Sequence, residues 1–219
     1  MRYAKAINAL VNHLNPLLYG PQDYALVLTK FYGVRASNAP FYLIAFAAGN
    51  LLGPLTIGRL FDTIGRKQMI AGTYGASGLL LAVSGYLFEV GALTAVTQTV
   101  LWSVIFFIAS AAASSAYLTC SEIFPLEIRA QAIAFFFAIA QICGAAGPWI
   151  FAHLIGDQQH PEPTRLFYGY VFAAAVMVQA GVLEALIGVK AERASLEDIA
   201  APLSAVGSSP RASRRVSDA

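Results

Sequence analysis

The sequence predicts an all-α integral membrane protein with five to six transmembrane helices, and its composition is the first reason. Of the 219 residues, 58% are hydrophobic and only 12% are charged, whereas soluble domains average roughly 45–50% apolar and 25% charged residues. The second reason is the length of the charge-free stretches, most of which reach the about 20 residues that a helix needs to cross a bilayer. Strands of a membrane barrel are about half as long and alternate in polarity, so helices are the better interpretation.

Five charge-free stretches delimit a predicted transmembrane bundle over residues 36–193. They cover residues 36–58, 68–88, 90–121, 130–156 and 166–183. The last stretch is short, and it reaches spanning length only if Glu184 is accepted inside a helix that continues to Val189. Helices that are apolar on all faces need lipid or a very large core around them, and a chain of this length has no such core.

Residues 1–35 are less regular than the rest. The apolar run at 6–22 is interrupted by polar residues and by Pro16 and Pro21, and Asp23 follows it. We expect either a broken first span or an irregular segment at the membrane interface. A cleavable signal peptide is the alternative, but the polar residues interrupt its apolar region and no A-x-A cleavage site stands in the usual place.

Lys and Arg residues are distributed unevenly among the predicted loops, and this indicates the orientation of the chain. If the loop at 59–67 is cytoplasmic and the N-terminal segment crosses the membrane, alternating spans place all 14 Lys and Arg residues on that side except Lys30, Arg35 and Arg165. If the N-terminal segment does not cross, Arg2 and Lys5 leave the count and the bias still holds. Membrane proteins show the same excess in short cytoplasmic loops. We therefore expect a multi-pass protein of the plasma (inner) membrane with a cytoplasmic C-terminus.

The segment at 194–219 differs in character from the spans. It is rich in Ser, Ala, Arg and Pro and has no sustained apolar periodicity, which is typical of disordered chain. We expect a cytoplasmic, mostly disordered tail. Binding of anionic lipid or a kinase site around Arg211, Arg214 and Arg215 is an open alternative.

Small residues recur at positions where neighbouring helices are expected to touch. Gly49 and Gly53 lie one turn apart in one span, and Gly72, Gly75 and Gly78 follow along the next. Small side chains let helix backbones approach closely in lipid, so these positions predict helix contacts. In a later span Gly147 precedes Pro148, which predicts a kink.

Ionisable and nucleophilic residues are few inside the predicted spans. His153 and Glu184 are candidates for proton transfer, because ionisable groups within membranes are often functional. The alternative is that His153, near the outer end of its span, is simply solvated, and that Glu184 is an acidic residue tolerated near a helix end. Cys120 and Cys143 have no metal-ligand spacing and fit apolar surroundings. No nucleotide-binding loop or catalytic triad pattern stands in the chain, so we expect no enzyme activity, no metal, no cofactor and no nucleic-acid partner.

One short segment concentrates charge within this apolar chain. "GRLFDTIGRK", residues 58–67, matches the pattern G-x-x-x-D-x-x-G-R-[KR] at Gly58, Asp62, Gly65, Arg66 and Lys67. It resembles the signature loop of the major facilitator superfamily, which lies between two spans on the cytoplasmic side. The resemblance implies that Asp62 faces a helix N-terminus and pairs with an Arg when that side is closed, and that both glycines allow close approach and a tight turn. The alternative is that these charges only anchor the topology.

A second motif supports the same resemblance. "SEIFPLEIRAQA", from Ser121, carries Glu122, Pro125 and Arg129 in the register E-x-x-P-x-x-x-R. This is similar to the element between the tenth and eleventh helices of sugar and organic-acid porters. The resemblance implies that Glu122 and Arg129 join the charge network of the signature loop.

The position of the second motif implies which part of such a transporter the chain resembles. Family members have two six-helix halves, and residues 36–189 look like helices eight to twelve of the C-terminal half. The expected partners are membrane lipid, a small solute, and either a missing N-terminal half or further copies of the chain. A truncated, non-transporting interaction fragment is an open alternative.

The solute is predicted from what the sequence lacks. It has no Q-Q-x-x-G-x-N run, no G-P-x-P-W before the second motif and no P-E-T-K-G after the last span, and sugar porters carry all three. We therefore expect proton-coupled symport of an organic acid or a similar metabolite, with a sugar as the alternative. The residues that bind the solute are not predicted.

Overall fold

The computed structural model describes residues 21–124, 126–155 and 163–188, and in these ranges the chain forms six α-helices and no strand. The helices are α1 (Pro21–Phe31), α2 (Ala39–Thr63), α3 (Arg66–Glu89), α4 (Ala95–Ile123), α5 (Leu126–Ile155) and α6 (Pro163–Ile187). Four of them are long and apolar enough to cross a membrane, at Ala39–Thr63, Arg66–Glu89, Ala95–Ser115 and Pro163–Ile187. The predicted all-α membrane fold is confirmed.

The helices end closer together than the charge-free stretches predict. The predicted loop at 59–67 is reduced to Ile64 and Gly65, because α2 runs on to Thr63 and α3 begins at Arg66. A charge-free stretch marks only the part of a helix that lies in hydrocarbon. Backbone hydrogen bonding continues into the headgroup region, where charged side chains are solvated, so the four charges of the motif lie on helix ends.

Two of the predicted segments fall partly or wholly outside the described residues. Helix α1 covers 11 residues of the expected broken first span, or about 16 Å of helix, while residues 1–20 and the tail at 194–219 are not described. Pro148 lies within α5, among residues whose side chains are not described. The kink there stays a prediction.

Contacts between the helices give their relative directions. Gly49 faces Ser103 and Gly53 faces Phe107, so α2 and α4 run parallel. On α3, Gly85 lies against Tyr170 of α6 while Gly78 lies against Ala174, so these two helices run antiparallel. The turn between α2 and α3, the connection between α4 and α5, and the end of α6 therefore lie at one end of the bundle, called here the signature end.

Only some of the glycines mediate the close contacts that the sequence predicts. A Cβ atom on Gly49 would lie 2.7 Å from the carbonyl oxygen of Ser103, and one on Gly53 would overlap the carbonyl of Phe107. One on Gly181 would lie 3.1 Å from the backbone nitrogen of Gly75. Gly72 is different, since among the described residues nothing lies within 4 Å of the position its Cβ would take, so no contact with another described helix is seen there.

Aromatic side chains fill the core at the end opposite to the signature end. The ring of Trp102 stacks on Tyr24 at 4.9 Å and meets Tyr170 edge to face at 5.6 Å. Phe88 lies 5.1 Å from Phe31 and 5.7 Å from Tyr170. Such pairs add about 0.5–1.5 kcal/mol each to the burial of the rings, so this cluster ties α1 to α3, α4 and α6.

Candidate functional site

The turn between α2 and α3 is built around Gly65. This residue is buried and has a φ of 119°, a conformation that side chains make costly and glycine adopts readily. Its carbonyl accepts the backbone N–H of Met69 at 3.0 Å, and the N–H of Ile64 still bonds to the carbonyl of Leu60 at 2.9 Å. One helix therefore ends and the next begins within two residues, which is the tight turn that the motif predicts.

Asp62 and Arg66 face each other across this turn. A guanidinium nitrogen of Arg66 lies 3.6 Å from a carboxylate oxygen of Asp62. The Asp62 side chain is 70% exposed, whereas that of Arg66 is only 14% exposed. An ion pair with one solvated partner contributes little to folding, typically about 0–1 kcal/mol, so the pair can break and form without disturbing the bundle.

The other residues of the motif differ in their surroundings. Lys67 is partly buried in the first turn of α3, and Gly58 is partly buried in α2. Among the described residues, a Cβ atom on Gly58 would meet nothing within 4 Å. The close approach that the motif implies at Gly58 is therefore not seen within this part of the chain.

The second motif lies at the same end, where α4 passes to α5. Arg129 stands in the first turns of α5, and its Nε and Nη2 atoms both donate to the carbonyl oxygen of Phe124 at 3.4 Å. This contact fixes the connection between the two helices. Pro125 and the side chain of Glu122 lie outside the described residues, so their predicted part in a charge network stays a prediction.

A buried polar cluster at the opposite end was not anticipated from the sequence. Gln98, which has no exposed surface, accepts a hydrogen bond from the Tyr32 hydroxyl at 3.1 Å. Its amide nitrogen donates to Ser84 Oγ at 3.2 Å and to the Tyr170 hydroxyl at 3.4 Å. Gln98 thus connects α3, α4, α6 and the segment after α1.

A second hydrogen bond joins α1 to α4 near this cluster. The Tyr24 hydroxyl bonds to Thr99 Oγ1, next to Gln98 in the chain. The signal in the sequence was the polar run Thr97–Gln98–Thr99 inside a charge-free stretch, together with Ser84 in the preceding one. These residues are compatible with many helix rotations, so the partners could not be assigned.

Two exposed amide side chains lie at a similar depth in the bundle. Asn50 is exposed near the middle of α2, and Gln141 is exposed near the middle of α5. Each is about 20 Å from the signature end by helix rise. Pro54 lies inside α2 and has no N–H to donate to the carbonyl of Asn50. The Asn50 carbonyl therefore lacks its usual helical hydrogen bond and adds a second polar group at this depth. Helices α1 and α4 each contact both α2 and α5.

Comparison with known protein families decides what these helices belong to. The profile of the family described as "Sugar (and other) transporter" matches residues 24–199, which is most of the chain. The chain belongs to this family. The resemblance to the major facilitator superfamily is thereby confirmed. No curated protein matches the chain closely enough to count as a relative.

Membership in this transporter family gives the coarse function. The chain is a multi-pass membrane protein of the transport machinery for a sugar or a similar solute. The family match begins at Tyr24, in α1, and includes the signature turn, the second motif and both mid-depth amides. The family match does not assign roles to these residues.

The two candidates for proton transfer are not brought together. His153 is exposed in the last turn of α5, at the end opposite to the signature end, whereas Glu184 is buried near the signature end of α6. One lies near each end of a bundle of long helices, so they cannot exchange a proton directly. Glu184 lies on the face of α6 that packs against α3, rather than beside the mid-depth amides.

Proposed function

We propose that the chain forms one six-helix half of a proton-coupled transporter that carries a small polar solute past Asn50 and Gln141. The observation that carries this proposal is the exposure of both amides at mid-depth. Amide groups facing hydrocarbon without partners cost several kcal/mol each, so they are expected to face a water-filled pathway. Family membership supports the same reading, since such transporters bind solute near the membrane midplane.

The signature end is proposed as the cytoplasmic gate of this pathway. The bias of Lys and Arg towards this end supports its cytoplasmic orientation. Asp62 and Arg66 would hold the gate closed, with Gly65 providing the turn and Lys67 keeping it in the aqueous phase. Glu122 and Arg129 would join them from the other motif, with Pro125 shaping the connection.

For the solute, we propose an organic acid or a similar metabolite, with a sugar as the competing candidate. The absence of three sugar-porter motifs supports the first, while the family description allows both. An amide such as Asn50 donates and accepts hydrogen bonds and therefore suits carboxylates and hydroxyls alike. The proton-coupling carboxylate is proposed to lie in the other half.

The test is reconstitution of the chain in liposomes with a panel of organic acids and sugars. It is measured alone and together with a separately expressed N-terminal half from a member of the family, with and without a proton gradient. Alternating access moves one half against the other around a shared site. We therefore expect gradient-driven uptake only when both halves are present.

Asn50→Ala tests the pathway itself, and Asn38→Ala is its matched control, because Asn38 is an exposed amide that precedes α2, outside the span, and its side chain makes no cap hydrogen bond. Loss of one hydrogen bond to the solute is worth about 0.5–1.5 kcal/mol, or roughly two- to tenfold in KM. We expect this increase for Asn50→Ala and no change for Asn38→Ala. Equal effects of the two substitutions would show that Asn50 does not contact the solute. Uptake by the chain alone would show that a second half is not needed.

A further inference from the structure

Glu184 continues a stripe of buried residues on α6 that faces α3. The buried positions Tyr170, Ala174, Met177 and Gly181 recur at helical spacing. Gly85 of α3 lies against Tyr170, and Gly78 of α3 lies against Ala174 and Met177. Gly181 of α6 in turn lies against Ala71 and Gly75 of α3. Glu184 is 4% exposed and comes three residues after Gly181 on the same stripe, so it also faces α3.

The antiparallel register places Glu184 beside the beginning of α3. Gly181 lies against Ala71, and moving one turn towards the end of α6 means moving one turn back along α3, to Lys67 and Gln68. The Glu184 carboxylate points further towards the first residue of α3. A Cβ atom on Gly188 would overlap it, so it lies near Gly188, beyond the last turn of α6 and towards the signature turn.

The beginning of α3 lacks a cap of its own. Its N-cap residue is Gly65, which has no side chain that could accept a hydrogen bond from the N–H groups of the first turn. The first N–H groups of a helix have no partners within the helix and carry a partial positive charge, which a nearby carboxylate stabilises. Arg66, in this turn, adds a full charge and is mostly shielded from water, which strengthens its attraction to an anion.

We propose that Glu184 is a positioning residue that holds the first turn of α3 in place and, through it, the Asp62–Arg66 pair. The role is electrostatic, because Glu184 is the charged residue of a buried stripe whose other members are uncharged. A role of Glu184 in the transport cycle rests on the proposed gate at the signature end. Its stabilisation of the first turn of α3 does not depend on that gate.

The test is hydrogen exchange of the backbone amides at residues 66–69, measured by mass spectrometry on the full chain in nanodiscs. Glu184→Gln keeps the shape and removes the charge, so we expect exchange there to accelerate by about three- to tenfold. Glu184→Asp should restore protection at least in part. Gln179→Ala, on an exposed face of the same helix, should leave it unchanged. Because no transport is measured, failure of the proposed function would not alter the result.

A second variant keeps the test decisive if Glu184→Gln does not fold. Gly188→Ala leaves the carboxylate in the chain but displaces it, since the added methyl group would overlap both the carboxylate and the backbone carbonyl oxygen of Glu184. We expect faster exchange at 66–69 in this variant too, with the second turn of α4 as the internal reference and the last turn of α6 as the measure of any backbone disturbance at the substituted end. Unchanged protection in the folded variants overturns the proposal. So does a loss that Glu184→Asp does not restore, because then side-chain volume and not charge holds the turn.

Discussion

The side chains at the signature turn differ sharply in their contact with water. Asp62 is largely solvated while Arg66 is largely covered, so water competes for one partner of the ion pair only. Such a pair is weak, at about 0–1 kcal/mol. A weak contact suits a gate, because each transport cycle must break it at little cost.

Asp62→Asn is expected to open the signature end without unfolding the protein. Loss of roughly 0.3–1 kcal/mol of interaction shifts a two-state equilibrium about two- to fivefold. In the assembled transporter, single cysteines at Ser114 and Gln131, exposed positions on α4 and α5, should react faster with a thiol reagent. The background lacks Cys120 and Cys143, and Thr63→Ala is the control beside Asp62. Unchanged reactivity would mean that the loop only anchors the topology.

Gln98 is the residue whose replacement should cost most among the polar side chains with known partners. Gln98→Leu leaves the hydroxyls of Tyr32, Ser84 and Tyr170 without their shared partner in a buried site, at a cost of about 1–3 kcal/mol. We expect the melting temperature in detergent to fall by roughly 2–10 °C. Gln179→Leu removes an exposed amide, leaves no buried hydroxyl without its partner and should not lower the melting temperature. A similar fall in both variants would argue against the hydrogen-bonded cluster.

At the scale of helices, the bundle is held by pairs that approach at glycines. Helix α2 contacts α4 through Gly49 and Gly53, and α3 contacts α6 through Gly78, Gly85 and Gly181. Lipid competes for apolar side chains as well as a neighbouring helix does, so close backbone approach provides much of the association energy. The two pairs are joined by α3 and α4, where Ser77 Oγ donates to the carbonyl of Ile105 at 3.4 Å.

Two glycine substitutions of the same kind should have opposite effects. Gly53→Ala forces a methyl group against the Phe107 carbonyl of α4, and such overpacking costs about 1–3 kcal/mol. Gly72→Ala adds a methyl group in open space and should stabilise the helix by roughly 0.5–1 kcal/mol. Thermal denaturation in detergent would distinguish them. The helix pairing is wrong if Gly53→Ala is as stable as Gly72→Ala.

At the scale of the whole molecule, the helix directions place Thr63 and Thr164 at opposite ends of the bundle. Thr63 ends α2 at the signature end, and Thr164 lies at the beginning of α6; both side chains are exposed. Single cysteines at these positions, without Cys120 and Cys143, should be labelled by an impermeant thiol reagent from opposite sides of the membrane. Thr63 is expected on the cytoplasmic side. Labelling of both from one side would contradict the alternating arrangement.

The sequence alone determined the fold class, the approximate spans and the family resemblance. These properties are local along the chain: a helix crosses a bilayer because some 20 consecutive residues are apolar, and the signature motif lies within residues 58–67. The tight turn at Gly65 was predictable for the same reason. Helix ends were less accurate, because the absence of charge marks the hydrocarbon region and not the last backbone hydrogen bond.

Tertiary structure decided which face of each helix meets which neighbour. These helices are apolar all round, so the sequence pattern does not fix their rotation about their own axes. Gly53 and Gly72 are therefore indistinguishable in the sequence, although one touches α4 and the other faces open space. The cluster around Gln98, the exposure of Asn50 and the burial of Glu184 against α3 have the same origin, since each depends on helix rotation and on partners distant in the chain.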